Sequence, residues 1–146
     1  LGSRGLGDVY KRQVIYYQGD RSPINREKEL KTCSRGWLHH KGRNLHHFEY
    51  WIDYSINPTG GKLVGMKMPK KYVAEMFCDR LAASKVYRGQ DFQPGDPYQF
   101  FQYGKKKRLL MHPATSELLE TILLVLRDQG EDAAFDYVRR EVLGKK

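Results

Sequence analysis

Apolar residues recur at spacings of three and four along most of this 146-residue chain, the period of helices that bury one face. Over residues 25–40, Leu30, Cys33, Trp37 and Leu38 follow that period after the turn-forming Ser22-Pro23 pair, which predicts an amphipathic helix. Gly42 can end or bend it, and Asn44 can cap a second helical stretch carrying His46, His47, Phe48, Tyr50, Trp51 and Ile52. The run Asn57-Pro58-Thr59-Gly60-Gly61 breaks helix. Residues 62–68 read as an extended loop, because the residue before Pro69 is biased away from helix. Pro69 suits the first turn of a helix running to about Tyr87, with Tyr72, Val73, Met76, Phe77, Leu81 and Ala82 on its apolar stripe and Arg88-Gly89 as its stop.

Residues 90–97 read as a polar loop with two prolines, followed by a short aromatic packing helix through Tyr98, Phe100, Phe101 and Tyr103 that ends at Gly104. His112-Pro113 precedes a helix over about residues 114–128, with Leu118, Leu119, Ile122, Leu123, Val125 and Leu126 buried. Gly130 divides it from a last helix, residues 131–143, with Phe135, Val138 and Val142 inward. There is no internal repeat, no low-complexity stretch and no segment that reads as a strand, so the predicted class is all-α.

The first residues change the picture of where the natural chain starts. Ser3-Arg4-Gly5-Leu6-Gly7-Asp8-Val9-Tyr10-Lys11-Arg12-Gln13 looks like an in-frame translation of a transposon adapter from a sequencing library, and such scars are left out of fold reasoning. On that reading residues 1–13 are non-native, and residues 14–146 form one α-helical domain, the C-terminal portion of a longer protein whose gene was read from fragmented environmental DNA. The formal charge is +9, of which +2 lies in residues 1–13. The remaining basic excess favours anionic partners: nucleotides, phosphorylated metabolites, nucleic acid or acidic membrane surfaces. Part of it sits in runs such as Lys105-Lys106-Lys107-Arg108, which read more simply as solvated faces, since no stacking-aromatic or Gly-rich RNA motif accompanies them. Cys33 and Cys78 are too few for a disulfide scaffold and too far apart for a zinc knuckle, which fits a reduced, cytoplasmic setting. No apolar stretch reaches membrane-spanning length; residues 118–126 are too short and are interrupted by Glu120 and Thr121.

Chemistry concentrates in residues 37–51, where His39, His40, His46 and His47 lie beside Trp37 and Trp51. Neutral imidazole is the commonest protein ligand of transition metals and titrates near neutrality, so the cluster suggests a metal or acid–base site. His39 and His46 are seven residues apart, as are His40 and His47. In an unbroken helix each pair would stand about 10 Å apart along the axis, too far to share an ion, whereas a bend at Gly42 would bring them together. The bland alternative places one histidine of each doublet at the surface and the other, hydrogen-bonded, in the core. Glu49 follows His46 by three, a spacing that in a helix puts both on one face, where the carboxylate could orient the ring, bind metal or act as a base. Asp79 lies within the apolar helix segment and must pair, coordinate or face water; Arg80, Arg43 and Lys85 are its candidate partners.

Residues 37–51, the segment from Met68 to Ser84 and the run His112-Pro113-Ala114-Thr115-Ser116 resemble an uncharacterised bacterial family classified only as a domain of unknown function. The resemblance covers nearly everything from Tyr16 to Lys145. That family in turn distantly resembles the HD superfamily of metal-dependent phosphohydrolases. There the order is a histidine, a His-Asp dyad, sometimes further histidines, and a last aspartate in an Asp-Arg-Leu-Ala setting. Asp79-Arg80-Leu81-Ala82 matches that last element, and His39, His40, His46 and His47 fall in the slot of the intermediate histidines. The first histidine and the dyad are not in this chain, as expected if the adapter marks a truncation.

The resemblance implies a cytoplasmic, HD-like hydrolase in which His39, His40, His46, His47 and Asp79 ligate a divalent transition metal (Mn, Fe, Co, Ni or Zn). Apart from any family motif, Glu49 is the candidate catalytic acid–base group, and Lys41, Arg43 and Asn44, with Lys70 and Lys71, are the candidates to hold a phosphorylated small molecule or nucleotide. The alternative is a non-catalytic basic module that binds nucleic acid or another anion, with the histidines serving structure. A third reading keeps the ancestry and loses the activity.

Overall fold

Val73, Met76, Phe77 and Leu81 share one helical face, and the computed structural model, which describes Lys28 and residues 34–56, 61–106 and 110–145, buries all four. Among the described residues the order is helix α1 (Arg35–Lys41), a 3-10 turn (Phe48–Trp51), strands β1 (Ile52–Tyr54) and β2 (Leu63–Gly65), and helix α2 (Lys70–Arg88). Helices α3 (Asp96–Lys106), α4 (Pro113–Gln129) and α5 (Glu131–Tyr137) follow, the last continuing as a π-helical turn, Val138–Val142. The protein is mostly helical, as the all-α reading expects. It falls into two compact units, Leu1–Arg43 and Asn44–Lys146.

In the first unit, α1 is shorter than the helix expected over residues 25–40, of which residues 25–27 and 29–33 lie outside the described residues. Ser34 is extended (φ −108°, ψ 121°) and its hydroxyl accepts the Trp37 N–H at 3.1 Å, so a helix begins afresh at Arg35. Gly42 closes α1, its N–H reaching the carbonyls of Leu38 and His40.

The second unit is built on α2 and α4. Phe77, Leu119, Ile122, Leu123 and Leu126 are completely buried between them, with Phe101 from α3 and Ala134, Val138 and Val142 from the last helix. Each large side chain removed from water contributes about 1.5–3 kcal/mol, and α2 (Val73, Met76, Phe77, Leu81) and α4 (Leu119, Ile122, Leu123, Leu126) bury four each. The expected stripes differ at their margins. Ala82 is exposed while Ala74 and Ser84 are buried; Leu118 and Val125 are half-buried; Phe135 is exposed on one side and meets Phe77 edge-on at 6.1 Å.

The helix expected over residues 44–52 does not form. Asn44 heads a tight turn, its carbonyl accepting the His47 N–H at 3.0 Å, and His47 is extended (φ −93°, ψ 127°). The aromatic and β-branched run after His47 favours strand over helix, and it passes through the 3-10 turn into β1. β1 pairs antiparallel with β2, Ile52 opposite Gly65 and Tyr54 opposite Leu63, so the expectation of no strand is corrected. The ladder runs on through Ser55 N–H to the Lys62 carbonyl (2.9 Å) and Met66 N–H to the Trp51 carbonyl (2.7 Å). Beyond it, the Met68 N–H donates to Thr115 Oγ1 at 3.0 Å, tying the extended segment to the first turn of α4.

Gly89 stops α2 in the left-handed region (φ 55°), as the Arg88-Gly89 pair predicts. α3 starts two residues before the expected Tyr98, with Pro97 in its first turn, and runs through Gly104 to Lys106. A glycine costs a helix only about 1 kcal/mol, and here Gln102 and Lys105 on either side of it both bond the Glu120 carboxylate, at 3.1 and 2.8 Å. His112 caps α4 with Nδ1 accepting the Ala114 N–H at 3.0 Å, so the fifth histidine serves structure.

Candidate metal centre

The turn that carries His46 and His47 is held from both ends. The half-buried Trp51 ring lies 6.0 Å from Tyr72 of α2, and its indole N–H donates to the Leu45 carbonyl at 2.8 Å. The His47 carbonyl accepts the Tyr50 N–H at 3.1 Å. With its neighbours fixed in this way, the turn lays both imidazoles beside α2 at the level of Asp79.

Asp79 presents one oxygen to each ring: Oδ1 stands 3.9 Å from His46 Nε2 and Oδ2 3.8 Å from His47 Nε2. The two rings are 4.7 Å apart between centroids and tilted by 40°. On the other edge of His47, Nδ1 is 3.8 Å from Glu49 Oε2. His47 is 8% exposed, whereas the Asp79 side chain is 46% exposed, so the group is walled on the histidine side and open at the carboxylate. These separations exceed a direct hydrogen bond. They fit an intervening ion: two ligand atoms each about 2.1 Å from one metal stand between about 3 and about 4.2 Å apart.

The Glu49 geometry corrects the sequence expectation. With no helix over residues 44–52, the spacing of three from His46 does not bring the two together; Glu49 faces His47. The carboxylate lies on the Nδ1 edge, where histidine ligands of metals usually donate a hydrogen bond, but at 3.8 Å that bond is not formed. Arg80, the next residue of α2, lies over the buried Phe101 ring, 5.8 Å from its centroid. Burial pulls its guanidinium below the ordinary value, and the charges of Glu49 and Asp79 oppose that shift. The sequence offers Arg80 as a partner for Asp79 and as part of the Asp79-Arg80-Leu81-Ala82 run, and gives no sign of its contact with Phe101.

Cys78, exposed on α2, has its thiol pushed up by partial burial and by the carboxylates of Glu75 and Asp79. At neutral pH it therefore carries less thiolate than an ordinary cysteine. Iodoacetamide should label Cys78 more slowly than a free thiol at pH 8, and Glu75→Gln should speed the reaction by lowering the thiol back toward its usual value. Labelling at the free-thiol rate in the parent chain would contradict this.

His39, His40, Lys41 and Arg43 belong to the first unit. There Trp37 stacks on His40 with centroids 5.8 Å apart, and Lys28 and Lys41 place their ammonium groups 5.6 and 6.0 Å from the Trp37 ring. Arg43 is exposed, and its backbone N–H reaches the His40 carbonyl at 3.3 Å. Asn44 enters the second unit as the turn residue described above. Lys70 and Lys71 are exposed at the start of α2, Lys71 lying over Tyr72 at 5.5 Å.

Residues 8–125 match the family described as "Family of unknown function (DUF5662)". The chain belongs to this family. The DUF5662 match includes His46, His47, Glu49, Asp79 and Arg80, and it ends within α4, before α5. No curated protein and no solved structure matches the chain. Among the described residues no helix is long and apolar enough to cross a membrane.

Proposed function

We propose that this DUF5662 member is a cytoplasmic metal-dependent phosphohydrolase of bacterial origin that acts on a phosphorylated small molecule or nucleotide, with His46, His47 and Asp79 as metal ligands. The observation that carries the reading is the Asp79 carboxylate divided between two imidazole Nε2 atoms at 3.8–3.9 Å. Glu49 stands 3.8 Å from His47 Nδ1, on the edge of the ring away from Asp79, where a small closure would let it accept the Nδ1 proton. An imidazole and carboxylate set suits Mn, Fe, Co, Ni or Zn, any of which polarises a phosphoryl oxygen and makes bound water more acidic. The Asp79-Arg80-Leu81-Ala82 run, with its likeness to the last element of HD enzymes, adds to the reading. Within the same unit Asn44, which heads the turn carrying His46 and His47, is the candidate phosphate-binding group.

The alternative, a basic module for nucleic acid, draws on the net charge of +9. It is less well supported, because Lys85, Lys105, Arg88, Arg127, Arg139 and Arg140 each lie on a carboxylate of the same chain.

Calorimetric titration of the chain with zinc and with manganese tests the proposal, followed by hydrolysis of p-nitrophenyl phosphate before and after chelation. One ion per chain and activity lost on chelation are expected. A chain that takes up neither ion, and instead binds single-stranded nucleic acid with an affinity falling steeply in salt, would overturn it.

A further inference from the structure

Exposed apolar side chains and unneutralised cations coincide on one element of the second unit, the β1–β2 hairpin. Ile56 is fully exposed, Tyr54 is 66% exposed, and Leu63, Val64 and Met66 also face solvent. On the helices of this unit large exposed apolar side chains come singly or in pairs, such as Val86 with Tyr87 and Phe100 with Tyr103, which is ordinary for a protein surface. Five on one short hairpin mark an interaction surface. Tyr54 stands opposite Leu63 on one face of the ladder and Val64 opposite Asp53 on the other, so apolar side chains project from both faces. A flat partner would cover only one of them.

The cations follow the same stretch of chain. Lys62, Lys67, Lys70 and Lys71 are exposed, and among the described residues none pairs with a carboxylate, whereas Lys85, Arg88, Lys105 and Arg127 each do. Asp53 is the only acidic residue between positions 51 and 71, and its Oδ1 accepts the Tyr54 N–H at 2.7 Å. The basic excess of the chain is thus left open where the apolar side chains are, and every cation in this stretch is lysine.

We propose that the β1–β2 hairpin docks on an anionic lipid surface, with Tyr54, Ile56 and Leu63 entering the headgroup–acyl boundary and Lys62, Lys67, Lys70 and Lys71 meeting lipid phosphates. The inference is independent of the metal reading above. Lipid surrounds a wedge and so covers both faces of the hairpin, and lysine stems lie along apolar surface while their ammonium groups stay at headgroup level. The contact is peripheral: three-residue strands reach about 10 Å, against about 30 Å of hydrocarbon to be crossed. A second copy fits less well, because it would bring four more lysines against these four. Nucleic acid would use arginine forks and stacked aromatics, and the patch offers lysine and mainly aliphatic side chains.

The test is co-sedimentation of the full chain with vesicles of phosphatidylcholine alone and of phosphatidylcholine mixed with phosphatidylserine. Binding should require phosphatidylserine and fall as salt rises. Lys62→Gln and Lys67→Gln should each weaken it by about fivefold, and Ile56→Glu by about tenfold or more. Val86→Glu makes the same change of charge near the far end of α2, and binding should stay within about twofold of the parent. Acetic anhydride labelling of the parent chain needs no variant to fold: vesicles should protect Lys62 and leave Lys85 reactive. No binding to the mixed vesicles, binding that survives Ile56→Glu unchanged, or equal labelling of Lys62 with and without vesicles overturns the proposal. Failure to bind vesicles together with single-stranded RNA binding that Lys67→Gln weakens assigns the patch to nucleic acid instead, and a dimer in sedimentation equilibrium that Ile56→Glu splits assigns it to a second copy; either result overturns the lipid assignment.

Discussion

Asp79→Ala is expected to weaken binding of a divalent transition ion by on the order of a hundredfold or more while leaving the fold intact. The carboxylate is the group both imidazoles face, so its loss removes one ligand and the charge that draws the cation in. Its side chain is 46% exposed and sits mid-helix on α2, where alanine is the better helix former. Stability should therefore change by less than about 1 kcal/mol. Asp96→Ala is the matched control. That buried carboxylate accepts the Gln93 N–H at 2.8 Å and pairs with Arg88, and its removal should lower the unfolding midpoint without touching metal uptake. Zinc titration and thermal unfolding of the two variants separate the cases. Unaltered zinc affinity in Asp79→Ala would sink the ligand assignment.

Gly65→Ala should be the most damaging single methyl group in the second unit. A Cβ at this position would stand 2.0 Å from the Leu110 carbonyl oxygen and 2.7 Å from the His112 nitrogen. Both obstacles are backbone, so no side chain can swing aside; either β2 moves off the segment before α4 or that segment moves off α4. A loss of about 3 kcal/mol or more is expected, on the order of 15 °C in the unfolding midpoint. Gly104→Ala provides the contrast: it lies within α3 with nothing within 4 Å of its would-be Cβ, and the change should stabilise by about 0.5–1 kcal/mol. Equal midpoints for the two variants would refute the close approach.

The helices were legible because their burial is one-sided and periodic. α2 and α4 each begin and end within about one residue of the limits set by Pro69, Gly89, Pro113 and Gly130. The hairpin was not legible, and the reason is physical. Ile52-Asp53-Tyr54 and Leu63-Val64-Gly65 are three residues each and largely exposed, so there is no alternation to read. What makes them strands is the match of Trp51 to Met66 across the ladder and the shelf that Leu110–His112 offers Gly65, both long-range facts. At the site, residue type marked His46 and His47 as candidates and the Asp79-Arg80-Leu81-Ala82 run marked Asp79, and the fold brings the three together across 32 or 33 positions. The partner of Glu49 was misread because the inference assumed helical spacing, and an extended His47 reverses which neighbour faces the carboxylate. The environment of Arg80 depends on Phe101, a contact no local pattern announces.

The hydrogen bond from Met68 to Thr115 spans 47 positions and encloses the whole of α2 and α3. Closing so long a loop early would sacrifice chain entropy before any packing rewards it, so the helical contacts around Phe77 and Leu123 come first in assembly. The hairpin docks onto that finished platform, and with it the turn that Trp51 holds. Its exposed strands have the least apolar burial in the unit, which makes it also the first part to open. The histidine-bearing turn is thus expected to be the last piece of the second unit to assemble, and hydrogen exchange at its amides ahead of those in α4 is the measurement that checks it.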